Sequence, residues 1–396
     1  MRVLGLISGT SHDGIDAAVV DFVTSAGFAS EGVELSGTVL AATSVPYAPE
    51  LRARLIAALP PAQTTLAEVA ELDTLIGQAF AEVAADIAAQ VGGVDAVCSH
   101  GQTVYHWVEG AHALGTLQIG QPAWIAERVG APVVSDIRIR DITVGGHGAP
   151  LVSFLDELLL RARAGTSAAL NLGGISNMTV VSDKGLYAYD VGPANALVDA
   201  MIVEHGLNDL GYDEDARVAR AGIVDDALLT AMLADPYYAL TPPKSTGKEH
   251  FHLAYVQSHL AAQGREIPVA DVIRTLTELT VRTVARDVQA AGISFLAVSG
   301  GGCRNPLILD GLRAALPDTE VVLADELGAP ADDKEAILLA LIGWCTMHGV
   351  PAIVPGGTGA REPRILGTIT PGAGPLVMPE IIAGLTSLSL QAASAS

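Results

Sequence analysis

Apolar residues along the first third of the chain switch between two rhythms. Residues 3–8 and 15–23 are nearly continuous runs of Val, Ile, Leu and Ala separated by a Gly/Ser/Thr/Asp turn, which predicts two strands joined as a hairpin. From Pro49 to Leu59, and again from Thr65 to Gln90, the spacing becomes helical, with Leu66, Val69, Leu72, Leu75, Ile76, Phe80 and Val83 on one face. "VDAVCSHG", "TLQIG" and "APVVSD" then read as short buried strands, each ending in glycine or polar residues. Strands alternating with helices predict a largely parallel α/β sheet whose working residues sit at strand carboxyl ends.

Near residue 166 the same grammar starts again. "SAALNLGGISNMTVVS" is a strand, a polar glycine turn and a strand, and "GLYAYDVGPANALVDAMIVEHG" is a strand running through a Gly-Pro turn into a helix. The two openings are too dissimilar for a sequence repeat, yet both set a polar glycine turn inside a hairpin, which reads as a duplicated architecture. The first domain then covers 1–164 plus 355–396. The second covers 165–354 and carries a polar insertion near 206–268, expected to line the space between the domains. A Thr- and Val-rich helix from Asp271, the strand-turn-helix "ISFLAVSGGGCRNPLILDGLRAAL" and an amphipathic helix in "PADDKEAILLALIGWCTMHG" complete it.

Composition narrows the class. With 396 residues the chain exceeds the size at which one core keeps growing, and 50% hydrophobic with 17% charged residues excludes wholesale disorder. The net charge of −22, with no basic run, argues against nucleic acid as a partner. An anionic small ligand binds such a protein only where backbone N–H groups, a metal ion or a few placed cations overcome the field. Cys98, Cys303 and Cys345 are widely separated and show no C-x-x-C spacing, which fits a reduced cytoplasmic protein. The sequence contains no signal-type leader and no apolar run long enough for a membrane span.

Neither a P-loop nor a kinase-type G-x-G-x-x-G with its downstream aspartate is present. Three glycine turns stand in their place: Gly9 to Gly14, Gly173 with Gly174, and Gly300 to Gly302. Each serves as a tight turn or as a backbone cradle for phosphate, and their recurrence at strand ends favours a nucleotide. Asp13, beside Ser8, Thr10 and Ser11, suits hydrated Mg²⁺ near phosphates, with Glu335 a second carboxylate or simply a first-turn glutamate. Asp16 fits a structural cap as well as a functional role. Asp190 sits at a strand end where it is either a general base or a turn aspartate. Asp136, Arg138 and Arg140 alternate, which on an extended strand puts them on one face, as ion pairs or as a grip on a carboxylate or phosphate. His100 with Gln102 and Thr103 forms a polar cluster of the kind that recognises hydroxyls. Lys244, Ser245 and Thr246 fit either a solvated loop or one that closes on ligand. His250 and His252 alternate without a third ligand, a pattern of surface histidines rather than zinc.

The motifs "GLISGTSHDGIDAAVVDF", "SHGQTVYH", "TLQIG", "DIRIRDITVGGHGAPLV", "NLGGISNMTV", "YDVGPANALVDA", "PPKSTGKEHF", "SGGGCRNPLI", "DDKEA" and "REPRILGTITPG" occur in the order found in anhydro-N-acetylmuramic acid kinases. By this resemblance the chain is similar to members of the acetate and sugar kinase, Hsp70 and actin superfamily: two duplicated actin-like (ribonuclease H-like) α/β domains with an ATP cleft between them. The resemblance implies a cytoplasmic enzyme of peptidoglycan recycling that hydrolytically opens 1,6-anhydro-N-acetylmuramic acid and phosphorylates O6, using ATP and Mg²⁺. It implies Asp190 as the catalytic base. Phosphates would lie at Gly9, Thr10, Ser11, Asp13, Gly14, Gly173 and Gly174, Mg²⁺ at Asp13 and Glu335, and adenosine beside Gly301, Gly302 and Asn305. The small-molecule anhydrosugar would contact His100, Gln102, Thr103 and Arg138, and a homodimer is compatible. His12, Ala194 and Lys248 depart from the commoner Leu or Met, Gly and Arg of the family motifs. Alternatives on the same scaffold are a kinase of a related anhydrosugar such as levoglucosan, or a nucleotide-gated binding ATPase. A glycosidase acting without ATP would need a carboxylate pair that the sequence does not single out.

Overall fold

The opening apolar runs form an antiparallel hairpin in which β1 (Arg2–Ser8) pairs with β2 (Gly14–Thr24), Leu6 facing Ala17. The structure is a computed structural model and describes residues 1–9, 12–25, 32–109, 112–149, 151–183, 185–242, 244–247, 250–330, 332–352 and 358–392. Next come β3 (Val33–Pro46), α1 (Pro49–Ala58) and α2 (Leu66–Gln90), the last begun by the Thr65 side chain accepting from Glu68 N. β4 (Ala96–Glu109), β5 (His112–Ile119), α3 (Pro122–Val129), β6 (Val133–Ser135), α4 (Ile139–Ile142) and α5 (Val152–Arg161) follow. The middle of the chain folds as β7 (Thr166–Leu172), β8 (Ile175–Ser182), β9 (Gly185–Pro193), α6 (Asn195–Glu204), α7 (Arg217–Ala221), α8 (Asp226–Leu233), α9 (Leu253–Ala262), α10 (Val269–Ala291), β10 (Ile293–Ser299), α11 (Pro306–Ala315) and β11 (Glu320–Leu323). α12 (Lys334–Met347), β12 (Thr368–Thr370) and β13 (Leu385–Ala392) end the described chain. Residue contacts divide it into two compact units, Met1–Ala162 with Leu327–Ser396, and Arg163–Glu326.

Each unit is built on the same strand order. In the first, β3-β2-β1-β4-β6 joins two antiparallel pairs to two parallel pairs, and in the second β9-β8-β7-β10-β11 does the same. This is the duplicated actin-like, ribonuclease H-like α/β architecture. The sheets are mixed rather than largely parallel, because each opens with a three-stranded meander before crossing over. In both, the chain reverses its direction of travel across the sheet beside the first strand, and such a switch point leaves a crevice at strand carboxyl ends. The glycine turns after β1, β7 and β10 lie at these points.

Several local expectations change. α12 is buried on all sides from Ala336 to Met347 rather than amphipathic, since it packs on β1, β2 and β4 and also touches α5. A Cβ on Gly5 would stand 1.9 Å from Ala336 O and 2.5 Å from Ala340 N, so helix and strand backbones meet without a side chain between them. β4 runs on to Glu109 instead of stopping near Gly101, because β5 pairs with its outer half and leaves Tyr105, Trp107, Leu114 and Leu117 exposed. Residues 136–142 are not extended: β6 ends at Ser135, Asp136 takes a φ of 54°, and α4 follows, so Asp136, Arg138 and Arg140 share no strand face. The cause is Asp141, fully buried, whose carboxylate accepts from Gly148 N and Thr358 Oγ1, both at 2.6 Å, and winds the segment around itself. The 206–268 region holds a core of its own, in which Leu228, Met232, Tyr237, Tyr238, Phe251 and Val256 pack with Val272, Ile273 and Leu276 of α10. Among the described residues no helix is long and apolar enough to cross a membrane.

Gly5→Ala is expected to destabilise the first unit by about 1–3 kcal/mol through overpacking. Gly374→Ala, where nothing lies within 4 Å of the added carbon, should stay within about 0.5 kcal/mol. Denaturant midpoints compare the two; equal midpoints would contradict the close helix–strand contact.

Candidate active site

In the first unit the turn between β1 and β2 is held from below by one carboxamide. Gly101, at a φ of 68°, bulges β4 away from β1 and sets Gln102 opposite Ser8. Gln102 is fully buried; its Oε1 accepts from Ser8 Oγ at 2.7 Å and Tyr47 OH at 3.4 Å. Its Nε2 lies 3.1 Å from Gly9 O and 2.8 Å from His12 Nδ1, within donating distance of both. His12 has a φ of 53°, and its carbonyl accepts from Arg52 Nε. The other anchor is Tyr47, whose N–H donates to Asp13 O; burial pushes its phenol up to about 12, so it stays a neutral donor. Gly14 admits no side chain, a Cβ there lying 2.5 Å from Val45 O. The Asp13 side chain is exposed above this scaffold. Thr10 and Ser11, read from the sequence as phosphate contacts, lie outside the described residues, as does Lys248.

Beside the turn, buried His100 pairs with half-buried Arg138. His100 Nδ1 faces Gly101 O at 2.9 Å, and Arg138 Nε donates to His100 Nε2 at 2.6 Å, which assigns the neutral ring with its proton on Nδ1. Burial, and secondly the Arg138 charge, pull the His100 pKa down to about 3. Burial also lowers the pKa of Arg138, with Glu335 and Asp141 opposing, and its Nη1 donates to Gly148 O. The remaining guanidinium donors meet no partner among the described residues. Thr103 Oγ1 accepts from Gln118 Nε2 at 3.1 Å. A cavity of ≈ 480 Å³ opens alongside, where Ser99 Oγ and Gln118 Oε1 are buried without hydrogen-bond partners among the described residues. Glu335 is exposed on the first turn of α12, and its charge reaches Arg138. Among the described residues no group of three or more His, Cys, Asp or Glu side chains forms a metal cage; a hydrated Mg²⁺ needs only one or two carboxylates.

In the second unit the two remaining glycine turns meet. A Cβ on Gly300 would fall 2.4 Å from Asn171 Oδ1, and one on Gly302 2.6 Å from Leu172 Cβ, so the turns after β7 and β10 touch through missing side chains. Asn195 Nδ2 donates to Leu172 O and Gly173 O, and Ala194 N and Ala196 N donate to Gly174 O. Gly301 and Asn305 line a cavity of ≈ 410 Å³ shared with Asn195, Asp199 and Tyr212. Asn305 also caps α11, its side chain accepting from Leu307 N.

Asp190, on β9 before the Gly192 turn, is held by an unexpected set of partners. Ser245 Oγ donates to its Oδ2 at 2.8 Å and Thr246 N to the same oxygen at 3.0 Å, while Oδ1 has no partner among the described residues. Tyr237 OH donates to Asp190 O at 2.6 Å. Tyr47, Tyr237 and Asp141 carry no motif of their own in the sequence; for Tyr237 the available signal is the aromatic pair of "DPYYAL". His250 pairs with Asp235 at 3.0 Å and His252 caps α9, so each histidine has a structural partner.

Gln102→Met is expected to cost about 1–3 kcal/mol for each buried group left unpaired and to speed amide exchange in residues 8–14; unchanged exchange would remove the staple. For His100, folding holds the ring neutral, whereas the unfolded ring protonates near its ordinary pKa of about 6.5. Its contribution is therefore fully present above about pH 6.5 and is lost as pH falls toward about 3. A His100 Hε1 resonance that does not shift between about pH 5 and 8 checks the folded value.

A sequence model of anhydro-N-acetylmuramic acid kinase matches residues 1–372. The anhydro-N-acetylmuramic acid kinase of Streptomyces coelicolor is 50% identical over 386 residues, covering 96% of each chain. That of Rhodococcus erythropolis is 47% identical over 384 residues, covering 94% of this chain and 95% of its own. A solved ROK hexokinase from Thermus thermophilus aligns loosely, at 18% identity and a TM-score of 0.35 over 86% of this chain and 98% of its own. The fold assignment rests on strand order instead. With ordered motifs, duplicated sheets and relatives matched end to end, the chain belongs to the anhydro-N-acetylmuramic acid kinase family.

Proposed function

We propose that the residues assembled in the two units carry out ATP-dependent, hydrolytic phosphorylation of 1,6-anhydro-N-acetylmuramic acid, with Asp190 as general base. The observation that carries this reading is the Asp190 carboxylate at the end of β9, fixed through Oδ2 by two donors, with no partner for Oδ1 among the described residues. In the reaction Oδ1 takes a proton from water as the water oxygen bonds to the anomeric carbon. The bond from that carbon to O6 breaks, and its electron pair goes to O6. O6 then bonds to the γ-phosphorus as the bond to the β–γ bridging oxygen breaks, and that pair leaves with ADP. The products are N-acetylmuramic acid 6-phosphate and ADP.

The remaining roles follow from chemistry. Phosphoryl transfer depends on positioning and charge neutralisation, and in a chain of net charge −22 both must come from local groups. The turns holding Gly9, Gly14, Gly173 and Gly174 offer backbone N–H groups to the phosphates, and the cavity at Gly301 and Asn305 takes the adenosine. Asp13 and Glu335 supply hard oxygen donors suited to Mg²⁺, which when bound neutralises phosphate charge. Arg138, aimed by neutral His100, meets the sugar's lactyl carboxylate. Gln102 supports the phosphate turn, since both ends of its carboxamide are already engaged.

Asp190→Asn is expected to abolish turnover while binding the anhydrosugar, and Arg138→Met to raise its KM about 10–100-fold, the worth of a charged hydrogen bond, with the KM for ATP unchanged. Anhydrosugar-dependent ADP release, and kcat/KM compared with levoglucosan, which lacks the lactyl group, check both. Near-normal kcat in Asp190→Asn, or equal kcat/KM for the two sugars, would overturn the respective assignment.

A further inference from the structure

Next to Asp190 lies a buried cation that the reaction does not use. The Lys244 side chain is 4% exposed, with Nζ 3.7 Å from Asp287 Oδ2. The ammonium also sits 4.8 Å from the Tyr237 ring centroid and 5.9 Å from that of Tyr189. Burial lowers its pKa, Asp287 opposes, and neighbouring Arg286 adds to the lowering. Taking an ammonium out of water is costly unless charge or aromatic faces meet it. Here one carboxylate and two rings do so, on a segment that forms neither helix nor strand.

The backbone carried by that lysine is bonded to Asp190. Asp190 N donates to Lys244 O at 3.0 Å, and the next two residues are the Ser245 Oγ and Thr246 N donors to Oδ2. Tyr237 closes the circuit, since its ring faces the ammonium and its hydroxyl binds Asp190 O. A carboxylate otherwise rotates broadly about its last torsion. With Oδ2 held by the strap, Oδ1 has one direction.

We propose that Lys244 and Ser245 are positioning residues for Asp190: the ammonium, locked between Asp287 and the tyrosine rings, fixes the strap 244–246, and the strap aims the carboxylate. This rests on the reading of Asp190 as the base. Neither side chain touches a reacting atom, so both act on kcat and not on substrate affinity.

The test uses the full chain with Lys244→Met, Ser245→Ala, the double variant and Asp190→Asn. It reads kcat, both KM values, equilibrium binding of 1,6-anhydro-N-acetylmuramic acid and the thermal midpoint. Each single variant is expected to lose about 10–100-fold in kcat, the cost of misaiming a catalytic group, with KM values and sugar binding within about threefold. The double variant should lose no more than the worse single, because both act through one strap. Wild-type kcat in either single variant beside an inactive Asp190→Asn, or losses that multiply in the double, would overturn the proposal. Should Lys244→Met not fold, Ser245→Ala, an exposed hydroxyl, decides by the same split between kcat and KM. An active Asp190→Asn would instead remove the base, and the proposal with it.

Discussion

The backbone contact between Gly5 and α12 sets the geometry of the first unit. Ala336 lies over Gly5 at one end of the helix, and Gly343 lies against Val3 and Cys98 at the other. α12 therefore runs antiparallel to β1 and points its amino terminus toward the strand's carboxyl end, where the glycine turn begins. The positive end of the helix dipole is thus brought toward the glycine turn, where it favours negative charge. Lys334, paired with Asp156 of α5 at 2.6 Å, pins the same helix end. A side chain at Gly5 would lift the helix and with it Glu335. The opposing field comes from Asp16, Asp332 and Asp333, the last with its pKa raised by burial and by the other two.

The two units meet one requirement with similar means. A glycine turn that offers N–H groups outward must be held from behind, and in each unit a carboxamide does this: Gln102 Nε2 toward Gly9 O, Asn195 Nδ2 to Gly173 O. In both turns the glycine carbonyl is thereby satisfied from within the unit. The units differ in what stands beside the turn. The first adds a guanidinium aimed by a neutral histidine, the second a second glycine turn pressed against the first and an aspartate held by its strap.

Elements whose cause is local were legible in the sequence. The hairpins, α2, the Gly-Pro turn into α6 and the glycine turns all carry their signal within a few residues. What escaped depends on distant partners. α12 looked amphipathic because nothing in its own residues says that α5 also touches it. Residues 136–142 looked extended because Asp141's partners, Gly148 and Thr358, come from a later loop and from near the end of the chain. That the Gln102 carboxamide bonds Ser8, Tyr47 and Gly9 was hidden because the bulge at Gly101 that turns it under Ser8 forms only once β4 pairs with β1. Lys244 fitted either a solvated loop or one that closes on ligand because its box is assembled from residues 189, 237 and 287. The family motifs supplied candidate roles that periodicity and composition alone left open.

In the proposed reaction water opens the sugar while the sugar's own O6 attacks phosphorus. Turnover of ATP and 1,6-anhydro-N-acetylmuramic acid in ¹⁸O-enriched water, quenched before the anomeric hydroxyl exchanges, tests it through the mass spectrum of the product. One ¹⁸O is expected in the sugar, at the anomeric carbon, and none in the phosphoryl group. Label in the phosphate, or a phosphorylated product that keeps its anhydro bridge, would contradict it.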